Sequence, residues 1–281
     1  MIEIQNLSFG YPKKELLYDE INMNMPEGHI YGLLGKNGAG KTTLLKLLTG
    51  LRFPEKGQVN IDSFEPKYRQ SEYLQKVFFI PEEFYLPKYS RKKYEETYSP
   101  FYRAFQHDKF NEYLHLFGIT ESCKLDSLSL GQKKKFILAF AFATNCQFLF
   151  LDEPTNGLDI PSKKHFRKIA SEWIDHHRTI VISTHQVHDV TNLLDRVIIL
   201  DEGKILLNET LEKLEKCLTM KLHQNEKNIP NSIYSQYVIG GRVSLEKNKT
   251  NQSNDIDLEL LFNAAMYNSD AILDAIKDGM E

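Results

Sequence analysis

The segment from Gly35 to Thr43 has the residue types and spacing of a phosphate-binding loop. It reads glycine, four further residues, then Gly40-Lys41-Thr42. Glycines allow such a loop to curl with its N–H groups inward, and a helix that starts here adds positive potential. Lys41 would reach the β- and γ-phosphates, and the Thr42 hydroxyl would ligate Mg²⁺. A glycine-rich turn that merely caps a helix is the alternative, but lysine and threonine at the required positions disfavour it. We therefore predict that this loop binds a nucleoside triphosphate.

Two carboxylates, Asp152 and Glu153, directly follow the apolar run Phe148–Leu151. Carboxylates that end a buried strand destabilise the fold unless a metal or a chemical role uses them. Beside a phosphate loop, Asp152 is interpreted as the Mg²⁺ carboxylate and Glu153 as the base that activates water. Two exposed carboxylates at a strand end are the alternative, which the phosphate loop disfavours.

Three further side chains are candidates for the same site. Glu82 follows the strand-like run 77–80 and a proline, so it lies at the carboxyl end of a strand, where ligands bind in open α/β sheets. His185 comes shortly after another such run, residues 179–183, although a lone histidine is more often structural or simply exposed. Tyr11 lies at a turn and could stack on a base through its flat ring, but a turn tyrosine is more often packing.

The helix predicted after Ser129-Leu130-Gly131-Gln132 would carry three adjacent lysines, residues 133–135, on its first turn. Cations at a helix N-terminus oppose the helix dipole, and a bound anion there would remove that conflict. A solvated basic face is the alternative, and charge alone favours it.

The elements that must hold these residues follow an α/β order. Apolar residues 30–34 predict a buried strand before the phosphate loop, and residues 44–48 predict the helix after it. Further strands are predicted at residues 2–9, 57–62, 77–80, 148–151, 179–183, 197–200 and 204–207, the last two as a hairpin-like pair. We expect an α/β fold with a P-loop NTPase core over residues 1–83 and 146–209, whose mixed sheet has an N-terminal antiparallel β part.

Residues 84–145 change in character to helices rich in aromatic side chains. Ser99 before Pro100 predicts the start of one helix, because proline suits the first helical position. Asp108 is predicted to cap a second helix that ends at Gly118. We predict that residues 84–145 form a helical subdomain, inserted into the core, that carries the segment before the three lysines.

Residues 210–281 are predicted to form a small α+β appendage. A pair of glycines splits two apolar-rich runs, residues 234–239 and 242–245, which is a strong hairpin signal. Asp257 is predicted to cap a helix, and a second short helix is predicted after Ser269. This unit would regulate the chain, dimerise it or cover exposed core, and its sequence contains no recognisable chemistry.

Composition and charge narrow the function classes. The chain has 281 residues, a net charge of -3 and an isoelectric point near 6.3, which gives no electrostatic reason to expect nucleic acid. Its cysteines, Cys123, Cys146 and Cys217, lack metal-binding spacing and argue against zinc and against a disulfide framework. The N-terminus lacks the pattern of a signal peptide, and the longest apolar run, residues 136–143, is too short to cross a bilayer. We expect a cytoplasmic protein.

Taken in order, these motifs resemble the nucleotide-binding subunit of an ABC transporter, over roughly residues 1–210. The matching segments are Tyr11 for the adenine-stacking aromatic residue, Gly35–Thr43 for the Walker A loop, Ser129–Gln132 for the signature, Phe148–Glu153 for the Walker B strand, Gly157–Asp159 for the D-loop and His185 for the switch histidine. Motifs in this order are specific, whereas a glycine loop alone would indicate only an NTPase.

The resemblance implies ATP and Mg²⁺ as cofactors and a site built from the matching residues. The nucleotide would be contacted by Tyr11, Gly35, Asn37, Gly38, Ala39, Gly40, Lys41, Thr42, Thr43, Ser129, Gly131, Gln132 and Asp159. The catalytic residues would be Lys41, Glu153 and His185, and the Mg²⁺ ligands would be drawn from Thr42, Asp152 and Glu82.

The resemblance also implies a head-to-tail pair of subunits, with each ATP between the Walker A loop of one and the signature of the other. Ser129 and Gly131 would then face a γ-phosphate supplied by the second subunit, and that phosphate would be the anion expected near the lysines. ATP would close the pair, hydrolysis would open it, and the motion would drive a separate polytopic membrane subunit. A homodimer on the inner face of the cell membrane is expected, with a heterodimer of paralogues left open.

Two residues depart from the family pattern. The family usually has glutamine at the position of Glu82, and a carboxylate there either coordinates Mg²⁺ or points toward the membrane partner. The middle glycine of the signature is Leu130 here, a form similar to the bacterial branch that exports peptides, antibiotics or toxins. In this family the membrane subunit chooses the substrate, so the sequence does not identify it.

Three classes of function could explain these motifs. We favour an ATPase that docks on a membrane subunit. The aromatic residues that support docking are Phe84, Tyr85, Tyr89, Tyr94 and Tyr98. Most of them could equally well belong to the core of the helical subdomain. The alternative is a soluble ABC-type ATPase that acts on ribosomes or DNA, but such proteins usually contain two cassettes or a long coiled coil. A non-catalytic nucleotide sensor is disfavoured because all the catalytic residue types are present.

Overall fold

The computed structural model describes residues 1–120, 124–224, 229, 232–248 and 255–279. Cys123 lies outside the described residues. Cys146 and Cys217 are buried free thiols.

The chain alternates strands and helices through the core and ends in a small sheet and a long helix. The strands are β1 Ile2–Gly10, β2 Leu16–Met25, β3 Ile30–Leu34, β4 Lys56–Ile61, β5 Val77–Ile80, β6 Phe148–Asp152, β7 Thr179–Thr184, β8 Arg196–Asp201, β9 Lys204–Thr210, β10 Leu218–His223, β11 Ser232–Val238 and β12 Gly241–Lys247. The α-helices are α1 Lys41–Leu48, α2 Ser71–Leu74, α3 Arg91–Tyr98, α4 His107–Leu116, α5 Leu130–Ala143, α6 Ile160–Trp173, α7 Leu211–Cys217 and α8 Leu258–Asp278. Short 3₁₀ turns lie at Pro66–Tyr68, Ser99–Phe101, Leu125–Ser127, Val187–Asp189 and Thr191–Leu193.

A six-stranded mixed sheet forms the centre of the fold, in the order β5-β6-β7-β3-β8-β9. The neighbours from β5 to β8 pair in parallel, and β9 pairs antiparallel with β8. Strands β3, β6 and β7 are buried along their whole length, which explains their largely apolar sequences. Because the carboxyl ends of parallel strands meet at one edge of a sheet, the segments after β3, β5, β6 and β7 come together there. The predicted α/β fold with a mixed sheet is confirmed.

A second sheet, in the antiparallel order β2-β1-β4, confirms the expected N-terminal β part. Strand β2 was not predicted, because its outward residues include asparagine and aspartate, which are depleted in strands. Its buried residues Ile21, Met23 and Met25 nevertheless alternate with exposed ones, and Tyr18 is also buried. They pack in one core with the apolar face of α1, so this sheet supports the helix that follows the phosphate loop.

The helical subdomain packs α4 and α5 around a cluster of aromatic rings. Tyr94 lies edge-to-face on Phe136 and on Phe140, with 5.1 Å between ring centroids in both pairs. Phe110 packs on the same two rings. Such pairs each contribute about 0.5–1.5 kcal/mol beyond the burial of their area. Tyr94 is therefore a core residue of this subdomain, whereas Tyr85 is 78% exposed.

Two predicted helix starts in this subdomain are wrong. Ser90 caps α3, and Ser99 lies at the end of that helix, in a short 3₁₀ turn. The helix stops there because Pro100 has no N–H with which to continue the hydrogen bonds. Asp108 lies in the first turn of α4, whose N-cap is Gln106. An acidic side chain in the first turn still stabilises the helix through its dipole.

The appendage consists of a sheet in the order β10-β12-β11, together with α7 and α8. Strands β11 and β12 form the hairpin predicted around the glycine pair, whereas β10 was missed. Asp257 caps α8 as predicted and accepts hydrogen bonds from the N–H groups of Glu259 and Leu260, at 2.7 and 3.0 Å. The predicted second helix is the continuation of α8 beyond a kink at Asn268. The domain boundaries inferred from the sequence stay predictions.

Candidate functional site

The loop between β3 and α1 curls as a phosphate-binding loop requires. Gly38 and Gly40 have φ angles of 85° and 111°, in the left-handed region that favours glycine. A Cβ on Gly40 would lie 2.5 Å from the Tyr18 hydroxyl oxygen, and that hydroxyl donates a 2.7 Å hydrogen bond to the Gly40 carbonyl oxygen. Tyr18 therefore holds the loop against β2, and burial raises the pKa of its hydroxyl. Because α1 begins at Lys41, the positive end of its dipole faces the loop.

Lys41 is buried at this loop. Its Nζ donates hydrogen bonds to the carbonyl oxygens of Gly35, at 2.7 Å, and Lys36, at 3.2 Å. Burial lowers the pKa of Lys41, and the three carboxylates described below oppose that effect. A phosphate group would give this ammonium group a charged partner in place of neutral carbonyls, and charge-assisted hydrogen bonds are the stronger kind.

Asp152 ends β6 and is only 1% exposed. One carboxylate oxygen accepts a 2.7 Å hydrogen bond from the Thr42 hydroxyl, and the other accepts from the Ser183 hydroxyl on β7. A hydroxyl oxygen beside a carboxylate is the hard-oxygen donor set that Mg²⁺ takes in nucleotide sites. Thr42 and Asp152 therefore fit the ion that the sequence implies.

Glu153 directly follows β6 with a φ angle of 47°, a conformation that non-glycine residues seldom adopt outside functional sites and turns. Its Oε2 accepts a hydrogen bond from the Thr184 hydroxyl at 3.1 Å. Its Oε1 accepts from the backbone N–H of His185 at 3.0 Å and lies 2.6 Å from Nδ1 of the same residue. The end of β7 thus orients the carboxylate, as a general base requires.

Glu82 is exposed on the loop after β5. Its Oε1 lies 3.5 Å from Nδ2 of Asn156, and its carbonyl oxygen accepts a hydrogen bond from Lys134. Its role as a Mg²⁺ ligand stays a prediction.

These groups line one cavity of about 840 Å³, a size that suits a small-molecule ligand. The cavity extends from Glu82, Asp152 and Glu153 past the phosphate loop to Tyr11 and the turn before β2. The Tyr11 hydroxyl oxygen lies 2.9 Å from Oγ1 of Thr43. Tyr11 is thus positioned at the same cavity as the phosphate loop, where a base-stacking role stays a prediction.

The signature lies apart from this cavity. Ser129 caps α5, and its hydroxyl accepts a hydrogen bond from the N–H of Gln132 while the Gln132 side chain accepts from the N–H of Ser129. Gly131 packs on the D-loop, where a Cβ would lie 2.7 Å from the Gly157 carbonyl oxygen. Within the described part of the chain, the predicted contacts Ser129, Gly131, Gln132 and Asp159 do not line the cavity. They lie together at the starts of α5 and α6.

The three lysines at the start of α5 have different environments, so a solvated basic face is the wrong interpretation for two of them. Lys134 is 3% exposed. Lys135 pairs with Asp159 at 2.8 Å, and this hydrogen bond holds the pKa of the Asp159 carboxyl well below its usual range. The anion expected near this helix start is therefore supplied in part by the Asp159 carboxylate of the same chain.

Ser183, Thr184 and Lys134 are site residues that sequence reasoning missed. Hydroxyl side chains at the end of a buried strand were an available signal for the first two. For Lys134 the signal was helical spacing, since residues 137 and 138, three and four positions later, are apolar and share its face of the helix.

A second cavity, of about 240 Å³, joins the phosphate loop to the appendage. It is lined by Leu34, Gly35, Lys36, Asn37, Thr184, His185, Val187 and Phe262, the last from α8. Nearby, Nε2 of His188 lies 2.8 Å from a carboxylate oxygen of Glu259. The appendage therefore contacts the segment that follows His185.

No helix within the described ranges is both long and apolar enough to cross a membrane.

Comparison with known proteins gives consistent matches. The family described as ABC transporter matches residues 18–156. The lantibiotic transport ATP-binding protein SrtF of Streptococcus pyogenes is 32% identical over 237 residues, which cover 76% of this chain and 95% of the relative. The bacitracin transport ATP-binding protein BcrA of Bacillus licheniformis is 34% identical over 203 residues, which cover 70% of this chain and 66% of the relative.

Among solved structures, the dimeric structure of MJ0796, a bacterial ABC transporter cassette, matches with a TM-score of 0.66 and 25% identity. The match covers 75% of this chain and 99% of the cassette.

Proposed function

The chain belongs to the ATP-binding proteins of ABC transporters, and from this premise we propose that it hydrolyses ATP in a two-subunit assembly that powers export through a separate membrane subunit. The convergence of Lys41, Thr42, Asp152 and Glu153 in one cavity carries the ATPase part of the proposal. The contact of His185 with Glu153 adds the group that orients the base.

The residues of the site have different proposed roles in hydrolysis. The N–H groups of the loop and the Lys41 ammonium group bind the phosphates and stabilise the charge that develops on them. Thr42 and Asp152 would hold Mg²⁺, which neutralises phosphate charge when it is bound. Glu153 takes a proton from the attacking water, and hydrogen bonds from the end of β7 keep its carboxylate in place.

Two copies would share each site, with the signature of one facing the Walker A loop of the other. Large apolar side chains begin the two helices at the signature and the D-loop, where Leu130 is 70% exposed and Ile160 is 82% exposed. A second subunit on this face would remove both from water. The similarity to MJ0796, whose structure is dimeric, supports a two-subunit assembly.

A groove of about 590 Å³ between the core and the helical subdomain is the proposed docking site of the membrane subunit. Phe101 and Leu51, which line it, are 65% and 45% exposed. Arg69 and Arg103 also line it, so the segment that docks should combine apolar and acidic side chains. The docking role predicted for the aromatic residues therefore falls to Phe101 rather than to the buried Tyr94.

The proposed cargo is a peptide, a toxin or an antibiotic. SrtF is named for lantibiotic transport and BcrA for bacitracin transport. The Leu130 form of the signature is the feature of this chain that favours the same class.

The test has two parts. The purified chain should hydrolyse ATP with Mg²⁺, and hydrolysis should stop when EDTA is added.

Co-expression with a polytopic membrane protein encoded beside it should give a complex that survives purification. Phe101→Ala should weaken that complex, whereas the control Tyr237→Ala, a change at an exposed residue of the appendage, should not. If the wild-type chain does not hydrolyse ATP, the proposed ATPase activity is refuted. If it hydrolyses ATP but forms no complex with the membrane protein, only the proposed transport role is refuted.

A further inference from the structure

Lys134 is the lysine at the start of α5 that the fold buries. Its Nζ donates hydrogen bonds to the carbonyl oxygens of Glu82, at 3.3 Å, and Glu153, at 3.2 Å. A buried cation destabilises a fold strongly unless nearby groups compensate its charge. Here the compensation comes from the nucleotide site.

The two carbonyl groups belong to different loops, since Glu82 follows β5 and Glu153 follows β6. Lys134 itself lies on the signature helix, so one ammonium group connects three segments of the chain. The ring of Phe84, with its centroid 5.5 Å from Nζ, adds a cation–π contact. Lys134 therefore links α5 directly to the loop that carries the proposed catalytic base.

The charge of Lys134 also acts on the carboxylates of the site. Burial lowers the pKa of Lys134, and the negative charges of Glu82, Asp152 and Glu153 oppose that effect. Glu82 brings a negative charge to a cavity that is to receive phosphate groups, which would repel it. A positive charge buried beside the Glu82 backbone reduces that repulsion.

We propose that Lys134 is a positioning residue for ATP hydrolysis, whose ammonium group holds the loops of Glu82 and Glu153 against the signature helix and offsets the charge of Glu82. This inference rests on the proposed ATPase function. Its two parts are separable, because the hydrogen bonds to the carbonyls act on turnover through Glu153, whereas the charge acts on ATP affinity through Glu82.

Lys134→Met removes both the hydrogen bonds and the charge at similar length. We expect kcat to fall about 10- to 100-fold, the range for loss of a charged hydrogen-bond donor. ATP affinity, measured by calorimetry in EDTA, should weaken about 3- to 10-fold because Glu82 is no longer offset. Adding Glu82→Gln should restore the affinity but not kcat, since the carbonyl hydrogen bonds stay absent.

Lys109→Met is the matched control, because it removes a surface lysine of α4 in the same subdomain, where Lys109 forms an ion pair with Glu112 at 2.9 Å. Lys134→Gln keeps a donor without the charge and should retain more turnover than Lys134→Met. It keeps the test decisive if the methionine variant does not fold, as judged by circular dichroism.

The inference is overturned if the wild type is active and folded Lys134→Met or Lys134→Gln matches Lys109→Met in kcat and in ATP affinity. Full recovery of kcat on adding Glu82→Gln overturns the positioning part, because charge alone would then explain the loss. If the wild-type chain itself neither binds nor hydrolyses ATP, the proposed function fails and this inference falls with it.

Discussion

At the scale of single residues, Lys41 and Glu153 are expected to fail in different ways. Lys41→Ala should abolish tight ATP binding, because its ammonium group is proposed to contact phosphate in the ground state. Glu153→Gln should keep binding, accumulate as an ATP-bound dimer and turn over about 10²–10⁴-fold more slowly, since a general base acts only on the attacking water. Affinity, single-turnover rate and size-exclusion chromatography with ATP measure these outcomes. Glu172→Gln on the exposed side of α6 is the control, and near wild-type hydrolysis by Glu153→Gln would contradict the assignment.

Glu82→Gln distinguishes the two roles left open for that carboxylate. We expect the Mg²⁺ concentration for half-maximal hydrolysis to stay within about twofold, because Thr42 and Asp152, which lie within hydrogen-bond distance of each other, would supply the protein's oxygen ligands on the proposed assignment. Asp152→Asn in the same titration should raise it and serves as the positive control. A raised Mg²⁺ requirement for Glu82→Gln would assign it to the metal, whereas weaker stimulation by the membrane subunit would support the docking role.

The grouping of Lys41, Thr42, Asp152 and Glu153 could be predicted because each follows an apolar run, and parallel strands deliver their carboxyl ends to one edge. The contacts that support these residues could not be predicted. The Ser183 hydroxyl bonds to Asp152 because β7 pairs with β6, and the local sequence does not show which strands pair. Lys134 resembles the adjacent lysines in type, and only its register on α5 separates it from them.

At the scale of elements, the start of α5 does not line the cavity at its own phosphate loop, and in the proposed dimer it faces the phosphate loop of a second copy. A mixture of Lys41→Ala and Gly131→Asp subunits should therefore recover partial ATPase activity, since one of the two shared sites in the heterodimer is intact. The aspartate would also crowd the Gly157 carbonyl oxygen, which a Cβ on Gly131 already approaches at 2.7 Å. Each variant alone provides the baseline. A fully inactive mixture in which heterodimers form would show that the sites are not shared or that both are needed at once.

Strands buried on both faces, such as β3 and β6, could be predicted from their apolar runs, and the half-buried β1 could be predicted from its alternating pattern. Strands β2 and β10 were missed because polar residues interrupt their apolar positions. The helix start predicted at Ser99 was wrong because Ser90 caps that helix, which ends before Pro100. The cap predicted at Asp108 was wrong because the N-cap of α4 is Gln106, which makes no side-chain cap hydrogen bond and is not a residue type that marks a helix start.

At the scale of the whole molecule, the appendage shares one apolar core with the transport ATPase fold rather than standing apart from it. Truncation after Thr210, where β9 ends, should leave ATP affinity within about threefold, because every nucleotide motif precedes that point. It should also cause self-association, since the apolar residues that α8 covers would be exposed to water. Light scattering and calorimetry measure the two effects. A monomeric, well-folded truncation that no longer binds ATP would refute this prediction.

Helix α8 lies next to the nucleotide site, since its Phe262 lines one cavity together with His185 and the phosphate loop. The helix is roughly 30 Å long and is kinked at Asn268. At one end it is tied to the histidine segment through Glu259, and at the other Asp278 pairs with Lys247 of β12. If the segment containing His185 and His188 shifts during a catalytic cycle, either the contact between His188 and Glu259 breaks or α8 moves with the segment. A movement of α8 would convert an ångström-scale shift near Glu153 into a change in the molecular surface that a partner protein could recognise.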